Sequence, residues 1–79
     1  MLRPTAVKVV PLNDYFLKVT FDNAQTRLFN VEPYIKGEWY GKLAKNDYYK
    51  LATPDGFTVV WPDGQDICPD ELYYNSKLI

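Results

Sequence analysis

The sequence contains no histidine and a single cysteine, Cys68. Without histidine, Ser-His-Asp and Cys-His catalytic arrangements and histidine-based zinc sites are excluded. One cysteine can form neither an intrachain disulfide nor a thiolate cluster, and a lone cysteine is typical of a reducing compartment. The four glycines stand apart at positions 37, 41, 56 and 64, so the chain has no glycine-rich phosphate loop. We therefore expect a protein that is not an enzyme and that holds no cofactor or metal.

Long apolar runs are absent as well. Residues 1–5 lead into the first strand without the apolar run, at least about seven residues long, of a signal peptide. Nothing in the chain approaches the roughly 20 apolar residues of a membrane span. These absences predict a cytoplasmic protein with no membrane partner.

Positive and negative charges nearly cancel over the whole chain, but they are unevenly distributed along it. The net charge is −1, yet residues 1–50 hold eight Lys/Arg against five Asp/Glu, and residues 51–79 hold one against five. The small net charge makes nucleic acid an unlikely partner for this chain alone, because backbone binding needs a basic face. The split is explained by attraction between two layers of one domain. The alternative is a polar surface suited to a charged partner or to head-to-tail association.

Aromatic residues are the class in which the chain is rich. Seven Tyr, four Phe and two Trp occur in 79 residues, which form a single domain, 1–79. So short a chain buries a limited share of its surface, and large rings compensate by burying more area per residue. An aromatic binding surface is the alternative use of these side chains.

Residues 6–31 predict a meander of three antiparallel strands. Ala6–Val10 is β-branched and closed by Pro11, Tyr15–Phe21 alternates, and Thr26–Val31 returns after a turn. The alternation puts Tyr15, Leu17, Val19 and Phe21 on one face. Phe29 and Val31 should point the same way.

The rest of the chain predicts short elements. The first are a helical turn at Glu32–Ile35 and a flexible or tightly turning loop at Gly37–Gly41. A helix follows from about Asp47, with Asn46 as N-cap and with Leu43, Tyr48 and Leu51 as the apolar residues that indicate it. A strand at Phe57–Trp61 has Phe57, Val59 and Trp61 on one face, and a strand at Gln65–Cys68 returns. The last element is a helix with Pro69 at its first position, docked by Leu72, Tyr73 and Leu78. Thr53–Gly56 is interpreted as a connecting turn.

The predicted fold class is α+β: a mostly antiparallel sheet of about five strands, made of a β-meander and a C-terminal hairpin, with short helices packed on one side. One core should contain Val19, Phe21, Phe29, Val59, Trp61 and Leu72.

Four carboxylates lie within nine residues: Asp63, Asp66, Asp70 and Glu71. A metal-dependent enzyme would need several of their oxygens to converge. Each also has a local explanation. Asp63 precedes Gly64 in a turn, Asp66 can accept backbone hydrogen bonds, and Asp70 and Glu71 complement the start of a helix.

Trp39 and Tyr40 stand between two glycines, with lysines nearby. Both rings can fold back as a lid over the sheet. Alternatively, they form an exposed aromatic and basic patch for a protein partner or, less favourably, for single-stranded nucleic acid. The candidate partner-binding surface consists of Trp39, Tyr40, Lys42, Lys45 and Tyr49.

The segment Trp61-Pro62-Asp63-Gly64-Gln65-Asp66-Ile67-Cys68-Pro69-Asp70-Glu71-Leu72-Tyr73 resembles the signature W-x-[DN]-G-x-D-[IL]-x-P-[DE]-x-L-Y of the DUF2442 family. The motif residues are Trp61, Asp63, Gly64, Asp66, Pro69, Leu72 and Tyr73. The apolar positions of residues 7–34 fit the same family, so the resemblance covers nearly the whole chain. Ala24 departs from it, since glycine is usual in that hairpin turn.

The resemblance implies a small bacterial α+β domain of unknown function. Some longer relatives resemble DNA-binding regulators that carry a helix-turn-helix after this domain, and no such module is predicted within these 79 residues. Members are also paired with a second small protein, in an arrangement similar to toxin–antitoxin modules. We therefore expect a non-enzymatic interaction module, one component of a two-protein system, that binds a protein partner or itself. The alternatives are a nucleic-acid-associated transcriptional regulator component and a carboxylate-based metal-dependent enzyme.

Overall fold

A computed structural model of the protein describes residues 4–79. Residues 1–3 lie outside the described residues, and they belong to the segment in which no signal peptide is predicted. Between residues 4 and 79, no helix is long and apolar enough to cross a membrane.

The elements follow one another as short strands and shorter helices. They are β1 Ala6–Pro11, β2 Phe16–Phe21, β3 Thr26–Asn30, α1 Gly37–Gly41, α2 Asn46–Tyr49, β4 Thr53–Pro54, β5 Val59–Val60, α3 Pro69–Tyr74 and β6 Lys77–Leu78. Four strands form an antiparallel sheet in the order β1-β2-β3-β6, and β4 pairs with β5 in a separate two-stranded sheet. The predicted α+β class is confirmed.

The meander is built by the period-two alternation of β2. Leu17, Val19 and Phe21 are at most 1% exposed, and Phe29 of β3 and the adjoining Val31 lie on the same core. The residues between them point to the other side of the sheet. The predicted meander is therefore confirmed, and so is its buried face except at Tyr15. Tyr15 lies in a 3₁₀ turn before β2, with a φ of 62°, and is only partly buried against the core.

The turn between β2 and β3 stays tight although alanine replaces the usual glycine. Ala24 adopts a φ of 70°, and its N–H donates to the carbonyl of Phe21 at 3.0 Å. The N–H of Gln25 donates to Oδ1 of Asn23 at 3.0 Å. The left-handed conformation costs alanine about 1–2 kcal/mol. The two flanking strands nevertheless hold the turn in this conformation.

The fourth strand of the sheet was not predicted. In β6, Lys77 lies opposite Leu28 and Leu78 opposite Arg27. A strand of two residues carries no periodic pattern, so its pairing depends on where α3 ends. Leu78, expected to dock the last helix, is instead 59% exposed.

The flexible or tightly turning loop predicted at Gly37–Gly41 is instead a short helix, α1, which leads directly into a 3₁₀ turn at Lys42–Ala44. Gly37 has a φ of 69°, which lets the chain turn into the helix. Glu38 in the first turn favours the positive end of the helix dipole.

The second helix is present, but its buried side was predicted wrongly. Asn46 is inside α2, and the capping position is Lys45, whose side chain makes no capping hydrogen bond. Tyr49 is 1% exposed, whereas Leu51 is 50% exposed. The Tyr49 hydroxyl donates to the carbonyl of Phe16 at 2.6 Å, and its ring packs edge-on against Tyr15 at 5.3 Å. In a helix of one turn, this contact with the sheet decides which tyrosine is buried.

The single five-stranded sheet with a C-terminal hairpin is also corrected. Thr53–Pro54, interpreted as a turn, forms β4, and the expected strand Gln65–Cys68 is reduced to one bridge between Val60 and Asp66. Phe57 is 67% exposed and does not share a face with Val59.

The cause of the Phe57 error is a side chain two residues earlier. The Asp55 carboxylate accepts the backbone N–H groups of Phe57 at 2.9 Å and Thr58 at 2.8 Å. This bends the chain before β5 begins. The same hydrogen bonds, that of Thr58 first, lower the pKa of Asp55.

The last helix begins as predicted. Pro69 opens α3, with Asp70 and Glu71 in its first turn. Leu72 is 1% exposed. The predicted core is confirmed as one cluster, whose members are Ala6, Leu17, Val19, Phe21, Phe29, Val31, Leu43, Tyr49, Ala52, Val59, Trp61, Ile67 and Leu72.

Candidate functional site

The centre of the candidate site is a tight turn over residues 61–65. The N–H of Gly64 donates to the carbonyl of Trp61 at 2.9 Å, and the N–H of Trp61 donates to the carbonyl of Gln65 at 2.8 Å. Gly64 adopts a φ of 103°. Because side-chain-bearing residues rarely adopt this conformation, the turn requires glycine at this position.

Trp61 anchors the turn to the core. Its side chain is 2% exposed, and the indole Nε1–H donates to the carbonyl of Tyr49 at 2.9 Å. The prediction that Trp61 is a core residue is confirmed. Its hydrogen bond also adds a second donor at the end of α2, because the Tyr49 carbonyl already accepts the N–H of Ala52 at 3.3 Å.

Gln65 joins the turn to α1 and α2. It is fully buried, its Nε2 donates to the carbonyl of Trp39 at 2.9 Å, and its Oε1 accepts from the Tyr48 hydroxyl at 2.7 Å. The Tyr48 oxygen in turn accepts the N–H of Asp63 at 2.9 Å. We call this set of four residues the Gln65 latch. A buried amide with both ends bonded fixes its neighbours in place.

Tyr40 and Lys42 are also tied to the turn. The Tyr40 hydroxyl donates to the carbonyl of Asp66 at 3.0 Å, and Nζ of Lys42 donates to Oδ2 of Asp63. This hydrogen bond and the charge of Asp63 raise the pKa of Lys42. The two alternatives for the aromatic rings were a lid folded back over the sheet and an exposed patch. Tyr40 does fold back, but onto the turn.

Trp39 behaves differently from Tyr40. Its ring is 50% exposed and lies alongside Gly64, where a Cβ atom would be 3.7 Å from Cζ2 of Trp39. Its backbone carbonyl accepts the hydrogen bond from Nε2 of Gln65. The indole is therefore half-exposed on a fixed support.

Tyr49 does not belong to the surface on which it was placed, because it is part of the core. Its neighbour Tyr48 lines an open cleft of about 550 Å³ instead. The other residues lining this cleft are Lys45, Asn46, Asp47 and Leu51. Trp39 and Tyr48 are thus both hydrogen-bonded to Gln65, and Lys45 and Leu51 lie beside Tyr48. We call these four residues the Trp39 surface.

Gln65 was not predicted as a site residue, and Tyr49 was predicted on the surface where Tyr48 lies. A glutamine in a turn between two aspartates is usually solvated, and no pattern in the sequence marks it as buried. The helical phase of Tyr48 and Tyr49 is ambiguous because Leu43, Tyr48 and Leu51 offered an equally plausible apolar side.

The four carboxylates do not form a metal site. In the part of the chain that the structure describes, no three side chains of His, Cys, Asp or Glu are grouped so that they could hold a metal ion. Asp63 pairs with Lys42, and Oε1 of Glu71 accepts from the Tyr34 hydroxyl at 3.2 Å. Asp66 is exposed and is used through its backbone.

Tyr73, the last motif residue, packs against the meander. Its ring lies edge-on to Phe21 at 5.0 Å, with the guanidinium carbon of Arg27 at 4.6 Å from the ring centroid. Its hydroxyl donates to Oε1 of Gln25 at 2.9 Å. This motif position attaches α3 to the sheet.

These features define a small α+β domain whose signature residues organise a turn, a core and two helix contacts. The chain matches the model of the family described as protein of unknown function DUF2442 over residues 6–77, and it belongs to that family. Comparison with curated proteins and with solved structures finds no match.

Proposed function

We propose that the protein is a non-enzymatic module that binds another protein through the Trp39 surface. The observation that carries this proposal is the half-exposed indole of Trp39, held on a fixed support. Tryptophan contributes strongly to protein interfaces, and an anchor that is already positioned loses little conformational entropy on binding.

The surroundings of Trp39 support the same conclusion. Leu51 is 50% exposed at the cleft that Lys45 and Tyr48 also line. This cleft combines the ring of Tyr48 and the apolar Leu51 with the charged Lys45 and Asp47, as an interface combines an apolar centre with a polar edge. The adjoining Lys42–Asp63 pair is internally neutralised, so it adds little net charge to the surface.

The specific form of the proposal is that the partner is a second small protein in a two-protein, toxin–antitoxin-like system. Its support is the resemblance to family members that are paired in this way. A non-enzymatic role is supported by the use of Gln65, Tyr40 and Asp63 in internal hydrogen bonds.

The experiment is affinity capture with the full chain from a lysate of the source organism, followed by reconstitution with the purified partner and calorimetry. Trp39→Ala should weaken the complex by about 30-fold or more, which is the size of an interface hot spot. Tyr74→Ala is the matched control, because Tyr74 is an equally accessible aromatic, 66% exposed, on α3.

Light scattering of the purified chain tests the alternative that the partner is a second copy. A strict monomer that captures no protein contradicts the proposed function. Capture that survives both Trp39→Ala and Leu51→Ala contradicts the Trp39 surface as the binding site.

A further inference from the structure

The four-stranded sheet has an outer face that the described part of the chain leaves largely open. Side chains on this face alternate with the core residues Leu17, Val19 and Phe21, and all are exposed or half-exposed. We call these residues the outer face: Lys8, Val10, Phe16, Lys18, Thr20, Thr26, Leu28, Asn30 and Lys77.

The charge of the outer face has one sign. Lys8, Lys18 and Lys77 are exposed, and no strand residue on this face is acidic. Lys18 lies opposite Leu28, which lies opposite Lys77, so the two lysines share a row and are about 10 Å apart at the backbone. The nearest acidic residues along the chain lie beyond the two ends of the strands. Asp14 and Glu32 lie beyond the end where Phe16 pairs with Asn30, and Asp22 lies beyond the opposite end, where its carboxylate accepts from the N–H and the hydroxyl of Thr5.

A groove of about 340 Å³ opens on the same face. It is lined by Phe16, Leu28, Asn30, Asn75 and Lys77. Oδ1 of Asn30 accepts the N–H of Glu32, and Nδ2 of Asn75 donates to the Tyr34 hydroxyl. The amide N–H groups of Asn30 and the amide oxygen of Asn75 thus remain available to a ligand.

We propose that the outer face binds single-stranded nucleic acid, with a base in the groove against Phe16 and phosphates at the lysines. A base supplies both a flat ring for Phe16 and an edge that can pair with an amide donor and acceptor. Phosphates match the row of Lys18 and Lys77, which contains no carboxylate. An acidic polypeptide matches the lysines but has no planar group of this kind at each charge.

The net charge of −1 does not oppose this assignment. Exposed charges farther away than about 10 Å are largely screened at 0.1 M salt, so the local face decides the interaction. The proposal is independent of the Trp39 surface.

The test is fluorescence anisotropy with end-labelled random single-stranded decamers of DNA and RNA, measured at low salt. Saturable binding is expected, with a slope of about −2 for log K against log salt, which corresponds to three phosphate contacts. Lys18→Glu should weaken binding by about tenfold or more, because it reverses the central charge of the face. Lys50→Glu makes the same change in net charge beside buried Tyr49 on α2, and it should alter affinity by less than about twofold.

Two further variants separate the possible interpretations. Phe16→Leu should weaken binding without changing the salt slope, since it removes stacking and keeps the charges. Trp39→Ala should leave oligonucleotide binding unchanged, so this proposal and the proposed function can fail separately. Circular dichroism verifies folding, and Lys77→Glu replaces Lys18→Glu if the central strand does not tolerate the change.

Three results would overturn the assignment. One is the absence of binding at about 1 mM protein, well above typical non-specific dissociation constants. Another is an equal loss with Lys50→Glu. The third is competition by polyglutamate of matched charge together with an unaffected Phe16→Leu variant, because the face would then select acidic chains rather than bases.

Discussion

The two halves of this domain satisfy their backbone polar groups in different ways. In the meander half, residues 6–31, ladder hydrogen bonds run along strands of five or six residues. In the turn half, residues 46–76, the strands are two residues long and side chains do much of this work. Trp61 donates to the carbonyl of Tyr49, and Thr58 Oγ1 donates to the carbonyl of Ile67 at 2.6 Å.

The same residue type therefore has different importance for stability in each half. A threonine in the meander half adds a side chain to a ladder that is already complete. A threonine in the turn half completes the backbone itself, since a buried carbonyl without a donor costs free energy.

The largest effect is expected at Trp61. Trp61→Ala removes a ring that is 2% exposed and the donor for Tyr49, so it should cost about 3–5 kcal/mol. That loss is close to the whole stability of a small domain, and the protein should be largely unfolded at 25 °C. Urea unfolding followed by tryptophan fluorescence and circular dichroism measures it.

Trp61→Phe sharpens the comparison, because it keeps an aromatic ring and loses the indole N–H. It should cost about 1–3 kcal/mol, because the smaller ring leaves a cavity and the Tyr49 carbonyl keeps only the longer hydrogen bond from the N–H of Ala52, at 3.3 Å. Phe29→Leu in the meander half, where no side-chain hydrogen bond is lost, should cost less than about 1.5 kcal/mol. Equal losses for the two variants would contradict the proposed difference between the halves.

The two threonines provide a matched pair with a smaller effect. Thr58→Val leaves the Ile67 carbonyl without its side-chain donor and should lower the free energy of unfolding by about 1–3 kcal/mol. Thr20→Val on the outer face should change it by less than about 0.5 kcal/mol, because Thr20 meets only the Thr26 hydroxyl at 3.4 Å. Chemical denaturation of both variants measures the difference. A loss at Thr20 as large as that at Thr58 would remove the distinction.

The smallest effect is expected at Asp55 and depends on pH. The Thr58 and Phe57 N–H groups hold its pKa below the usual value, so its contribution is present above the unfolded pKa of about 3.9 and is lost as pH falls through the lower folded value. Asp55→Ala should cost about 1 kcal/mol at pH 7. Since the carboxylate is mostly exposed, solvent screening keeps the ionic part of this small.

Asp55→Asn is the control, because its amide oxygen can accept the same N–H groups but cannot titrate. Unfolding midpoints at pH 7 and near pH 3 should show a smaller acid-induced loss for Asp55→Asn than for the wild type. An identical acid-induced loss in both proteins would show that the carboxylate does not contribute in this way.

The meander and α3 could be predicted because their signals are local. The alternation of Leu17, Val19 and Phe21 specifies which face of β2 is buried, whatever lies beyond it. Pro69 followed by two acidic residues similarly specifies the start of a helix. The core position of Trp61 also followed from its place at the end of an apolar segment.

The turn half was predicted less well because its decisive interactions are hydrogen bonds from polar groups, which the spacing of apolar residues does not reveal. Phe57 has the spacing of a strand residue, but the Asp55 side chain bends the chain and exposes it. Tyr49 is buried rather than Tyr48 because its hydroxyl reaches the carbonyl of Phe16. Neither contact has a signal in a short apolar pattern.

The candidate site was predicted only in part. Trp39 and Lys45 lie on the Trp39 surface, whereas Tyr40 and Lys42 are engaged with the turn and Tyr49 is in the core. The fixed position of Trp39 depends on Gln65, whose two hydrogen bonds join segments that are distant in the sequence.

By itself, the amino-acid sequence determined the α+β class, the meander, the helix at Pro69 and the absence of histidine and disulfide chemistry. These depend on composition or on neighbours along the chain. Only the tertiary structure decided that Lys8, Lys18 and Lys77 share one open face although the net charge is −1. Strand pairing brings together residues that are far apart in the sequence, and net charge is a sum that contains no information about position.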